Sequence, residues 1–168
     1  LAFTKKNQTN PWYYEMEKFS YNFRITDIQS ALGNSQLTKL DLFTRKREKI
    51  DKIYKKEFSK NIYISTPKTN IHVKHAYHLY TLLIDFKSLK TNRHDFMIKL
   101  KNYNIGSQVL YIPLYHQPYY KNKYKYKPID FPNSETFYEK CLSIPIYPSM
   151  KLSDAKKIAD IVNNIAKL

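Results

Sequence analysis

Over residues 75–86 apolar and polar side chains alternate with the two-residue period of a strand. Tyr77, Leu79, Thr81, Leu83 and Asp85 fall on one face, and His78, Tyr80, Leu82 and Ile84 on the other. Elsewhere the period is helical. Over about 39–59, Leu40, Phe43, Arg47, Ile50 and Tyr54 recur at spacings of three and four, broadened by Ile53 and Phe58. Thr91 caps a predicted helix to about residue 103, with Phe96, Met97 and Leu100 inward. Gly106 stands where a left-handed turn would end it. Ser153 caps the last helix, striped by Ile158, Ile161, Val162 and Ile165. Residues 62–64 read as a short strand stopped by Pro67, and 108–112 as a longer one closed by Pro113 and Pro118, which cannot donate to a ladder. A further helix is predicted from Asn133 or Ser134 through Tyr138 and Leu142, broken by Pro145 and Pro148. The sum is an α+β fold: a short antiparallel sheet with helices packed on it. The strands at 76–85 and 107–112 are expected to pair, with the helices at 92–103 and 153–167 on one face. The first ten residues read as a polar arm anchored by Trp12, and 119–127 as an exposed loop of Tyr and Lys.

Residues 21–33, Tyr-Asn-Phe-Arg-Ile-Thr-Asp-Ile-Gln-Ser-Ala-Leu-Gly, form an extended run feeding a helix. Thr26 is the predicted N-cap, and Gln29 three residues on completes a capping box. Ile28, Leu32 and Leu37 supply an apolar face. In an extended run Asn22 and Arg24 point to one side, Tyr21 and Phe23 to the other. An amide and a guanidinium beside a helix N-terminus are the chemistry of an anion site, most naturally a phosphate. The same residues also describe a core helix with a polar lead-in.

Composition narrows the classes. Hydrophobic content of 42% with sixteen tyrosines is that of a folded chain, not a disordered one. The single cysteine, Cys141, leaves no internal disulfide framework and fits a reducing, cytoplasmic compartment. No apolar run approaches the length of a membrane span, and no signal-peptide core follows the start. The absence of an initiator Met suggests that the chain begins inside something longer. A net charge of +15 invites a nucleic-acid partner. Four of the basic residues are Arg (Arg24, Arg45, Arg47, Arg93), and the lysines are spread along the chain, which favours a solvated lysine surface. His72, His75 and His78 are not expected to hold a metal, because i and i+3 on a strand face opposite ways and no Cys or carboxylate cluster joins them. Two glycines in all exclude a P-loop or a GxGxxG fingerprint.

The stretch YNFRITDIQSALGNSQLTKLD, followed by a basic helix with Arg45 and Arg47, resembles the N-[FY]-R segment of the DegT/StrS family of pyridoxal-phosphate (PLP) sugar aminotransferases. A second run, IGSQVLYIPLYHQPYY at 105–120, is similar to the pseudaminic-acid branch of that family, the UDP-4-amino-4,6-dideoxy-N-acetyl-β-L-altrosamine transaminases. His-Leu-Tyr at 78–80 matches between them. The resemblance runs from Pro11 onward and covers the C-terminal part of the family. It implies the small domain of a fold type I aminotransferase: residues 1–38 ending the large PLP domain, 39–60 a linking helix, and 61–168 the small α+β domain. It implies that Asn22, helped by Arg24, contacts the PLP phosphate across a homodimer. It also implies that Gln108, Val109, Leu110 and Tyr111 contact a UDP-linked 4-keto-6-deoxy amino sugar, with glutamate the habitual amino donor. Leu110 departs from the family, which usually has His there, and a leucine cannot donate to an oxygen. The family's Schiff-base lysine lies in an upstream context that this sequence lacks, so the chain alone is expected not to transaminate and to need its missing N-terminal half. A catalytically inactive binding or dimerisation module, or a basic nucleic-acid-binding domain, are the competing expectations.

Overall fold

The computed structural model describes Met16 and residues 18–167. The expected arm and Trp12 lie outside the described residues. The chain divides into two compact units, Leu1–Thr38 and Lys39–Leu168.

The first unit carries one helix, α1 (Asp27–Leu37). Its start is the predicted capping box: Thr26 Oγ1 accepts from the Gln29 N–H at 3.3 Å, and Gln29 Oε1 accepts from the Thr26 N–H at 3.0 Å. These contacts satisfy two donors that a helix start otherwise leaves without partners. No residue of α1 is buried, so the predicted apolar face of Ile28, Leu32 and Leu37 is exposed among the described residues.

The second unit holds α2 (Leu40–Phe58), β1 (Ile64–Ser65), β2 (Tyr80–Ile84), α3 (Arg93–Asn102), α4 (Pro118–Tyr124), α5 (Pro132–Lys140), β3 (Cys141–Ile144) and α6 (Leu152–Ile165). The sheet is antiparallel in the order β1-β2-β3, with Ile64 opposite Ile84 and Leu82 opposite Leu142. Tyr80, Leu82 and Ile84 point inward and are fully buried, as their alternation predicts, while Thr81 and Leu83 on the other face are half-buried. The inward face meets Ile50, Tyr54 and Phe58 of α2, Phe96 and Leu100 of α3, and Ala155, Ala159 and Val162 of α6. The small alanines let α6 sit close to α2. Ile158, Ile161 and Ile165 flank that contact rather than fill it. Each fully buried large apolar side chain contributes about 1.5–3 kcal/mol. Asn163 ties the two helix ends: its amide donates to the Glu57 carbonyl at 2.9 Å and its oxygen accepts from Asn61 at 3.0 Å.

Several expectations are corrected. The strand at 76–85 starts only at Tyr80, because Tyr77 turns left-handed with φ of 47°. Its partners are β1 and β3, and not 107–112. The helix predicted through Leu142 stops at Lys140, and the next four residues pair with β2 instead. Burying Leu142 and Ile144 against Tyr80 and Leu82 outweighs local helix preference. Segment 107–112 joins the sheet through one bridge, Gln108 with Ser143, on the far side of β3. The left-handed residue ending α3 is Asn104 (φ 58°) and not Gly106. Asn92, not Thr91, caps α3 by accepting from the Asp95 N–H at 2.9 Å. Part of the expected loop at 119–127 is helical, since Pro118 starts α4 at a position that needs no N–H.

Candidate functional site

In the first unit the rings of Phe19, Tyr21 and Phe23 meet edge to face, successive centroids 6.2 Å apart. That places them on one side of an extended run, as the alternation requires. All three are largely exposed, with Phe19 at 86%. Asn22 Oδ1 accepts from the Arg24 N–H at 3.3 Å, which leaves the Asn22 amide hydrogens to donate elsewhere. The capping box takes the Gln29 N–H, and Asp27 adds a carboxylate to the first turn. The helix start is therefore partly satisfied by its own side chains. What this segment offers an anion is chiefly the Asn22 amide and the Arg24 guanidinium.

In the second unit Gln108 is fixed by its backbone. Its N–H donates to the Ser143 carbonyl at 3.1 Å and its carbonyl accepts from the Ser143 N–H at 2.8 Å. Ser143 is in turn opposite Thr81 on β2, and the two hydroxyls lie 2.8 Å apart. The edge of the sheet thus carries Gln108 and Leu110 to one side of a cleft of about 320 Å³, with His78 and Ile146 also lining it. The cleft brings together two of the four predicted substrate residues. Val109 and Tyr111 do not line it; Tyr111 is exposed beside it. His78 is the one ionisable side chain lining this cleft. The alternation puts His78 on the strand face of Tyr80, Leu82 and Ile84; the turn at Tyr77 takes it out of the strand, and it is exposed.

A second polar cluster holds the segment after Tyr111. His116 Nε2 and Glu135 Oε1 are 2.6 Å apart, and Tyr115 stacks on Phe131 at 4.5 Å. The Tyr115 hydroxyl and the His116 ring hold the Glu135 carboxyl below its ordinary value, and burial, followed by that carboxylate, pushes the Tyr115 phenol up. The Tyr115 hydroxyl falls short of a formed hydrogen bond, so the His116 contact is the firm one. This pins the 3-10 turn at Leu114–His116 to α5. His116 lies inside the second motif, but only the fold shows its partner.

Among the described residues, no group of three or more His, Cys, Asp or Glu could hold a metal, and no helix is long and apolar enough to cross a membrane.

The model of the DegT/DnrJ/EryC1/StrS aminotransferase family matches residues 2–163. Uncharacterized protein MJ1066 of Methanocaldococcus jannaschii is 42% identical over 99% of this chain and 42% of its own length. The UDP-4-amino-4,6-dideoxy-N-acetyl-beta-L-altrosamine transaminase of Campylobacter jejuni is 38% identical over 92% of this chain and 40% of its own. In structure the chain is similar to Helicobacter pylori PseC, an aminotransferase involved in the biosynthesis of pseudoaminic acid. The TM-score is 0.81 and the identity 29%, covering 98% of this chain and 43% of that one. The chain spans about two-fifths of the length of the relatives it matches. The family is one of PLP-dependent aminotransferases. By sequence and by fold, the chain belongs to the DegT/DnrJ/EryC1/StrS aminotransferase family.

Proposed function

We propose that this chain is the C-terminal portion of a PLP-dependent aminotransferase acting on a UDP-linked 4-keto-6-deoxy amino sugar, with glutamate as amino donor. The observation that carries the proposal is the cleft where Gln108, Leu110 and His78 meet, in a chain 38% identical to an altrosamine transaminase. Gln108 offers an amide to hydroxyl or carbonyl oxygens. Leu110 offers an apolar wall suited to a deoxygenated carbon, where an imidazole would favour a hydroxyl. Tyr111 and Val109 flank that wall.

PLP, when bound, draws electrons away from the carbon that carries the transferred amine. The residues of this chain that fit its phosphate are Asn22 and Arg24, both donors without an acceptor role to spare once Asn22 Oδ1 is engaged. The lysine that bonds the cofactor covalently belongs to the part of the enzyme upstream, so this portion positions and does not itself transfer. The division at Thr38/Lys39 supports assigning 1–38 to the end of the large domain. The packing of α2 onto α6 supports treating the helix at 39–60 as part of the small-domain body. The exposed rings of Phe19, Tyr21 and Phe23 support a surface that the rest of a homodimer covers. The free, buried thiol of Cys141 supports a cytoplasmic setting.

The test is amine transfer from glutamate by the full-length protein loaded with PLP, using a UDP-linked 4-keto-6-deoxy N-acetylhexosamine. Gln108→Ala should raise KM about tenfold, and the 168-residue chain alone should show no turnover. A full-length protein that transfers no amine to any nucleotide-linked keto sugar contradicts the proposal.

A further inference from the structure

Besides its apolar stripe, α2 carries a second, polar one. Thr44, Arg47, Asp51 and Lys55 recur at spacings of three and four along the helix, and Thr44 and Asp51 are each 4% exposed. The segment entering β2 runs along this stripe. Lys74 Nζ donates to Asp41 Oδ1 at 2.8 Å near the start of α2, and Tyr77 lies beneath Lys55 near its end, the ammonium 5.7 Å from the ring centroid. Asp51 Oδ2 accepts from Lys55 Nζ at 2.9 Å and so fixes the ammonium over that ring. The carboxylate also faces the phenols of Tyr77 and Tyr80, which burial and then its charge push up. Its second oxygen and the Tyr80 hydroxyl are buried without a formed hydrogen bond, so Lys55 is its firm partner.

Nothing in the core asks for a charge here. Burying a carboxylate is costly, one ion pair to a half-exposed lysine offsets that only in part, and apolar residues of similar volume often serve stability as well or better. The consequence of the pair is local geometry. Tyr77 has a left-handed backbone, φ 47°, a conformation that a bulky residue keeps only where its surroundings impose it. Two restraints grip it. On one side His75 Nδ1 accepts from the Tyr77 N–H at 2.9 Å, and the two rings pack 4.4 Å apart. On the other stands Lys55, held by Asp51. The turn so fixed swings the next residue, His78, out of the strand. His78 is exposed, and it lines both the cleft of Gln108 and Leu110 and a larger one, about 770 Å³, over the outer face of β2.

We propose that Asp51 is a positioning residue for the smaller cleft: through Lys55 it clamps the Tyr77 ring, and the clamp sets where the His78 imidazole stands relative to Gln108 and Leu110. Asp51 does not line the cleft and acts only through its neighbours. This role rests on the reading of that cleft as the sugar site, given above. It adds a residue of α2, outside the cleft, that tunes sugar recognition.

The test uses the full-length protein loaded with PLP. Asp51→Leu combined with Lys55→Met removes the pair and leaves no charge buried, so fold and thermal stability should be kept. With the UDP-linked 4-keto-6-deoxy N-acetylhexosamine, KM for the sugar should rise about tenfold, as for the loss of one His78 hydrogen bond. Both kcat and KM for glutamate should stay as in wild type. In a His78→Ala background the same replacement should change KM no further. NMR of histidine-labelled protein, assigned with single His→Ala variants, gives a readout free of turnover: the His75 and His78 signals should move and those of His94 and His116 stay. Asp51→Asn alone, which keeps the shape and weakens the hold on Lys55, should move the same signals less. A His78 signal or a sugar KM unmoved by the double replacement, effects additive with His78→Ala, or losses that follow thermal stability for sugar and glutamate alike overturn the inference. If the His78 signal moves but neither wild type nor variant transfers amine to a nucleotide-linked keto sugar, the positioning role stands and the proposed substrate fails. If wild type transfers amine and the His78 signal does not move, the substrate reading stands and the positioning role fails.

Discussion

Removing one oxygen atom from Tyr54 should measurably loosen the second unit. Tyr54 is fully buried on α2. Its ring stacks on Phe58 at 5.8 Å and tilts against Tyr80 of β2 at 4.8 Å. Its hydroxyl donates to the Pro145 carbonyl at 2.7 Å, one residue beyond β3 and on the wall of the smaller cleft. Tyr54→Phe keeps the ring contacts and deletes only that bond. A neutral hydrogen bond contributes about 0.5–1.5 kcal/mol net, and a buried carbonyl left without a partner costs about 1–3 kcal/mol. Because Pro145 is half-buried, water recovers part of that, and the expected loss is about 1–2 kcal/mol. At about 2–4 °C per kcal/mol for a domain of this size, Tm should fall by roughly 2–8 °C. Tyr54→Ala removes the ring as well and should cost about 3–5 kcal/mol or more. Urea unfolding followed by far-UV circular dichroism measures both, with the slope unchanged in Tyr54→Phe. A Tyr54→Phe protein within about 0.5 kcal/mol of wild type, or one as damaged as Tyr54→Ala, would refute the assignment of that bond.

Burial raises the phenols of Tyr54 and Tyr80, and Asp51 adds to the effect at Tyr80. Both keep their protons when folded, so their contribution is complete below the ordinary phenol value of 10.0 and drains away as pH rises above it. Tyr80→Phe should flatten that alkaline loss, and parallel curves for wild type and variant would count against it. Glu135 shows the opposite sign: its carboxyl is held below the ordinary 4.5 by the nearby Tyr115 hydroxyl and by the His116 contact. Its contribution is present above pH 4.5 and lost as pH falls through the depressed value, so Glu135→Gln should show a shallower acid limb in a pH series of thermal melts. Asn163→Ala, which frees the Glu57 carbonyl and leaves the Asn61 amide only its bond to the Ala166 carbonyl, should cost about 1–3 kcal/mol. A double-mutant cycle with Asn61→Ala should show coupling, and strict additivity would argue against the paired amides.

The parts of the fold legible in the sequence were those whose signal is local. The capping box of Thr26 and Gln29, the faces of β2 and the helices at α2, α3 and α6 follow from spacing alone. β3 was not legible: Cys141–Ile144 is four residues between a helix and a proline, and only pairing with Tyr80–Ile84 makes it a strand. The same long-range pairing builds the smaller cleft. Gln108 bridges to Ser143 and Ser143 pairs with Thr81, 62 residues away in the chain, which brings distant segments side by side. Gln108, Leu110 and the His78–Tyr80 stretch are accessible through family resemblance, but His78 reaches the cleft through a left-handed turn at Tyr77 that a tyrosine gives no reason to expect.

The central claim is that this segment completes a PLP site in the whole enzyme, and Asn22 tests it most directly. PLP is titrated into the full-length protein, wild type and Asn22→Ala, with thermal stability without cofactor followed in parallel. Loss of a hydrogen bond to a charged phosphate costs about 1.5–3 kcal/mol, so Asn22→Ala should bind PLP roughly ten- to a hundredfold more weakly. Arg24→Lys should also weaken it, because the planar fork is lost. Equal PLP affinities, with only a small change in stability, would make Asn22 a turn residue before α1 and would contradict the account.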